Sequence, residues 1–103
     1  MEYLPEVYRE FKKQYPKIYG TYNKLALSCN EVGPLDEKTR EMVKLGIAIG
    51  LSSEGAIRSH TRRALAAGVS ADGVRQAALL ALTTAGFPTY IAALKWVNEV
   101  LAK

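Results

Sequence analysis

Cysteine occurs once, at Cys29, and histidine once, at His60, in a chain of 103 residues. A single cysteine excludes an intrachain disulfide and any cysteine-cluster metal site, and it suits a reducing cytoplasm. No run of about 18 uncharged apolar residues is present that could span a bilayer. The opening MEYLPEVYREF also lacks the apolar stretch of a signal peptide. Dense basic blocks with interleaved aromatics are missing too. The net charge is +4, but both signs occur through most of the chain, which points to solvated helix faces rather than a nucleic-acid surface. These absences set the expectations: a cytoplasmic protein with no metal and no cofactor, and with no nucleic acid and no membrane as partner.

Hydrophobic residues make up 49% of the chain and charged residues 23%, a balance that folds. The length suits one compact domain over residues 1–103 and is too short for two. Helical spacing recurs from end to end. Pro5 opens a first helix with Leu4, Val7, Tyr8, Phe11 and Tyr15 on one face. Pro16 starts a second, running through Ile18, Tyr22, Leu25 and Cys29 to about Asn30, where Gly33-Pro34 stops it. Cys29 is thereby expected in a buried stripe, and residues 1–34 form an N-terminal helical hairpin.

Residues 35–103 carry the remaining helices. Asp36 is the N-cap candidate for a third, with Glu37 in its first turn and an apolar stretch from Met42 to Leu51 that reads as buried on both faces. Gly46 and Gly50, four apart, suggest close approach of another helix. Ser52 or Ser53 can cap a fourth, which turns Ile57, Ala64 and Leu65 inward, sets Arg58, Arg62 and Arg63 towards its outside, and ends at Gly68. Ser70 caps a fifth, apolar nearly all round, and Gly86-Phe87-Pro88 breaks it. The sixth starts at Pro88, with Ile91, Leu94, Val97 and Leu101 as its stripe and Tyr90, Trp96 and Val100 left over as apolar surface. So much greasy surface on about 100 residues implies a homo-oligomer.

The segment Glu41–His60, EMVKLGIAIGLSSEGAIRSH, is similar to the alkylhydroperoxidase D-like pattern E-x11-C-x2-C-x3-H at both ends, with Ser53 and Ala56 at the two cysteine positions. LDEKTREMV before it, IRSHTRRALAAGVS after it and TTAGFPTYIAAL near the last helix also look like family sequence. The chain thus resembles the carboxymuconolactone decarboxylase and alkylhydroperoxidase D-like family over about Leu35 to Leu101, in a form without the cysteine pair. The resemblance implies an all-α, alkylhydroperoxidase D-like domain of about six helices, and trimers or hexamers.

Positions 53, 56, 57 and 60 lie at i, i+3, i+4 and i+7, so one helix face presents them together. In a redox member of the family the two thiols cycle through a disulfide, which serine and alanine cannot do. What remains is an acid–base pair, with His60 as proton shuttle, Glu41 as its orienter, Ser53 as a further candidate and Arg62 as a possible holder of a substrate carboxylate. The bland reading of each stands beside it: His60 as a satisfied core residue, Glu41 as a solvated first-turn residue, Ser53 as a cap, and Arg62 as surface or interface. Three functions stay open: a thiol-independent enzyme acting on a small organic acid or lactone, an antioxidant relative in which Cys29 or another chain's thiol replaces the missing pair, and a non-catalytic, oligomeric small-ligand-binding scaffold.

Overall fold

A computed structural model describes residues 6–103. It shows six helices and no strand among them: α1 (Glu6–Gln14), α2 (Pro16–Glu31), α3 (Glu37–Gly50), α4 (Glu54–Ala66), α5 (Ala71–Thr84) and α6 (Phe87–Leu101). The fold is all-α, as the helical spacing implied. Leu4 and Pro5 lie outside the described residues. No described helix is long and apolar enough to cross a membrane. The chain divides into two compact units between Pro34 and Leu35.

The first unit is the hairpin of α1 and α2, and neither helix buries a residue. Its seam runs through Tyr19, which meets Tyr8 edge-on at 6.0 Å between ring centroids, while the Lys12 ammonium lies 5.1 Å from the Tyr19 ring centroid. Cys29 is exposed, which corrects the expectation of a buried stripe. The reason is one of phase. Two helices share a single seam, and α2 turns Tyr19, Ala26 and Asn30 towards partial cover, leaving Ile18, Tyr22, Leu25 and Cys29 in water.

The second unit is a four-helix bundle. α3 pairs with α4 and α5 with α6, and the pairs join through α4 on α6 and α3 on α5. Its core takes Leu45, Ala48 and Ile49 from α3, Ile57 and Ala64 from α4, Val74 and Ala78 from α5, and Ala93 and Val97 from α6. Caps mark two starts: Asp36 accepts from the Thr39 N–H and Ser70 from the Gly73 N–H, each satisfying a donor with no partner inside its helix.

Three readings of apolar faces need correction. α3 is buried on one face only, and Val43, Ile47 and Leu51 are exposed, because a four-helix bundle encloses no helix on all sides. Gly46 and Gly50 receive no close helix, since a Cβ at either would meet nothing within 4 Å. On α6, Tyr90 and Trp96 pack against the core while Ile91 is exposed, because the inward line runs through the small Ala93, which a search for large side chains passes over.

The bend between α3 and α4 is short. Ser52 N–H donates to the Ile49 carbonyl and Ser53 N–H to the Ala48 carbonyl, the pair of bonds that ends a helix in a Schellman motif. Ser52 holds the left-handed position, φ 52°, where glycine is usual. The end of α4 repeats the motif with Gly68 in that place, φ 101°. Ser52→Gly is therefore expected to raise the unfolding free energy by about 1 kcal/mol, the left-handed cost for a residue with a Cβ less the extra chain entropy of glycine. Urea denaturation followed by circular dichroism measures this, and a loss of stability would show that the serine side chain is held in place.

Candidate active site

Glu41 lies on the inner face of α3 and is 7% exposed. A carboxylate so far out of water is costly unless something pairs with it. His60, on α4, supplies the partner, with Nδ1 at 2.8 Å from Glu41 Oε1. The imidazole side chain is 19% exposed. An ionised carboxylate can only accept, so Nδ1 donates, and the neutral ring then carries its lone pair on Nε2. Nε2 makes no hydrogen bond to a described residue. A ring so held can take a proton at Nε2 when neutral and give one when charged.

The other expected residues sit around this pair in different ways. Ser53 occupies the N-cap position of α4, but its side chain makes no capping bond. Its backbone N–H is committed to α3 and its carbonyl accepts from Ile57 N–H, so the residue closes one helix and opens the next. Ser53, Ala56 and His60 are half-buried along one edge of α4, and Ile57 beside them is fully buried. Arg62 leaves the helix about 200° round from His60, at 100° per residue. It has an interaction of its own. Among the described residues no group of three histidine, cysteine or acidic side chains is placed to hold a metal ion.

Three features were missed in the sequence. Arg58 bridges Glu54, one turn before it on α4, and Glu99 on α6. The hydrogen bond from Arg58 holds the Glu99 carboxyl below the usual range, and the bonds from Glu99 and Glu54 hold the guanidinium charged. The i,i+4 spacing of Glu54 and Arg58 was a readable signal; the reach to Glu99 had none. Thr61, next to His60, is fully buried and its hydroxyl has no partner among the described residues. A groove of about 440 Å³ runs between α3 and α5, floored by Ile49, Ala77 and Ala81 and edged by Gly46, Gly50 and Leu80. Neither Glu41 nor His60 lines it.

A sequence profile described as the carboxymuconolactone decarboxylase family matches residues 16–99. The chain belongs to that family. A carboxymuconolactone decarboxylase family protein from Legionella pneumophila, solved in its apo form, superposes with a TM-score of 0.80 at 20% identity, over 91% of this chain and 84% of that one. At that identity the likeness speaks for the fold. An uncharacterised protein of Methanocaldococcus jannaschii is 26% identical over 96% of this chain and 94% of its own length. Another uncharacterised protein, of Haemophilus influenzae, is 34% identical over 60% of this chain. That match spans 55% of the Haemophilus protein's own length.

Thr61→Val is expected to raise stability by about 1 kcal/mol, since it removes a desolvated hydroxyl that no described residue satisfies. A fall on thermal or urea unfolding would reveal a partner, such as an ordered water. A second expectation concerns thiol chemistry. Ser53 and Ala56 offer no redox couple, so the protein should not turn over a hydroperoxide with a dithiol donor, and Cys29→Ser should change nothing in that assay. Turnover that Cys29→Ser abolishes would overturn the inference.

Proposed function

We propose that this family member is a thiol-independent acid–base enzyme acting on a small organic acid or lactone. The observation that carries the proposal is the 2.8 Å bond between Glu41 and His60, which orients the ring and leaves Nε2 without a partner among the described residues. In a decarboxylation the bond to the carboxyl carbon breaks, carbon dioxide leaves, and the electron pair stays on the adjacent carbon. The imidazolium Nε2–H would then protonate that carbon and recover its proton from water, while Glu41 stabilises the charged ring. Ser53, two turns earlier on the same edge of α4, is placed in this reading as a hydrogen-bond donor to substrate, and Arg62 is the weaker candidate for a carboxylate holder because of its phase. A cytoplasmic location and assembly into trimers or hexamers belong to the same proposal.

One observation favours a second reading. The α3/α5 groove does not include the pair, and a bond tying α3 to α4 can be purely structural. The protein would then be a non-catalytic, oligomeric small-ligand scaffold. An antioxidant role by thiol chemistry would need Cys29 or a thiol from another chain, since Ser53 and Ala56 supply none.

The deciding measurement is proton NMR in deuterated buffer on a panel of small lactone acids. It would follow carbon dioxide loss and deuterium uptake at carbon, with wild type, His60→Gln and Glu41→Gln. Wild type is expected to turn over at least one compound, and His60→Gln to lose roughly 100-fold or more, the usual contribution of a positioned acid or base. Glu41→Gln should lose less. Circular dichroism checks that both variants fold. No turnover by wild type on any of the panel, with both variants destabilised, would favour the scaffold.

A further inference from the structure

Surface helices normally turn charged residues to water, but α3 turns Val43, Gly46, Ile47 and Gly50 outward. Val43, Ile47 and Leu51 follow one another at i+4 spacing and are 47, 58 and 73% exposed, so they form a raised apolar row. The neighbouring row of the same helix is Met42, Gly46 and Gly50, and it is low because two of its three members have no side chain. That low row borders the groove against α5, where the open wall is Leu80, 60% exposed. Among the described residues no charged one lines the groove. Missing charge at the centre of an apolar patch is a mark of an interface core rather than of ordinary surface.

We propose that this α3/α5 face is a self-docking surface, on which a second copy of the chain seats its Val43–Ile47–Leu51 row in the low row over Gly46 and Gly50. A ridge and the groove that fits it lie side by side on one patch. A two-fold axis between two copies places each ridge in the other's groove, which is the self-complementarity an isologous contact requires. Two helices interdigitating by their i±4 rows cross at about −50°, the commonest packing class, and glycines let the axes come close. Area agrees. Val43, Ile47, Leu51 and Leu80 leave on the order of 100 Å² of apolar surface apiece, so these four alone supply about half of the roughly 800 Å² per partner that specific interfaces bury, with the groove lining in addition. A small molecule in the groove would cover its floor and its Val43 edge but leave Ile47 and Leu51 in water. The same contact would join two three-membered rings into a six-membered assembly.

The inference names the surface behind the assembly proposed above, and its test separates the two. Sedimentation velocity on the full chain over a concentration series is compared for wild type, Ile47→Glu and the double variant Gly46→Ala/Gly50→Ala. An alanine Cβ at either glycine meets nothing in the single chain, and alanine favours helix, so the double variant should melt higher when dissociated. Yet it should weaken the two-fold association at least tenfold, because the added methyl groups fill the low row. Ile47→Glu should abolish that association with its helical circular dichroism intact. Wild type is expected to sediment as an even-numbered assembly. Assembly unchanged in both variants would overturn this surface and leave oligomerisation standing. A monomeric wild type would overturn both, and a monomer whose groove takes up an apolar dye would make the groove a ligand site instead.

Discussion

Between α3 and α4 the chain has no slack. Three residues make the turn, and the middle one, Ser52, accepts a left-handed backbone to do it. Ser53 then serves both helices, its N–H ending α3 and its carbonyl starting α4. With the hinge so short, the register of the two helices is set at the bend, and everything further along the pair inherits it. Leu45 and Ile49 enter the core beside Ile57 and Ala64 because of that register. So does the meeting of Glu41 with His60, 19 positions apart in sequence. Arg58 fastens the same helix to α6 through Glu99, so α4 is tied on two sides by charged groups as well as by its apolar face.

Much of this order could be read from the chain. Prolines at 16 and 88, glycines at 33, 68 and 86 and the caps Asp36 and Ser70 punctuate local structure, and local structure obeys local rules, so the helices fall where those residues place them. The exposures were harder to read. Cys29 and Trp96 were assigned to the wrong sides because helical phase was taken from the large apolar residues alone. A stripe drawn through Tyr22 misses the seam at Tyr19, and one drawn through Ile91 misses the line at Ala93. Small residues mark where helices touch, and they carry little weight in a hydrophobic pattern.

The candidate site divides along the same line. Glu41 and His60 were legible because a spaced motif named them, and their 2.8 Å approach follows from the register of one bend. Glu99, Thr61 and the α3/α5 groove were not, since each depends on how separate helices pack. Arg62 shows the opposite error: two residues from His60 in sequence reads as near, whereas on a helix it faces another way. Proximity along the chain and proximity in space part company first at i+2.

The division of the chain at Pro34 has an optical consequence. Five of the six tyrosines stand in residues 1–34, while the single tryptophan, Trp96, is half-buried against the core of the other unit. Each unit therefore carries its own chromophore. Tryptophan emission follows the packing of the four-helix unit, and tyrosine absorbance, apart from Tyr90, follows the hairpin. In one melt of the unmodified protein the two signals report whether the hairpin and the bundle come apart together or in turn.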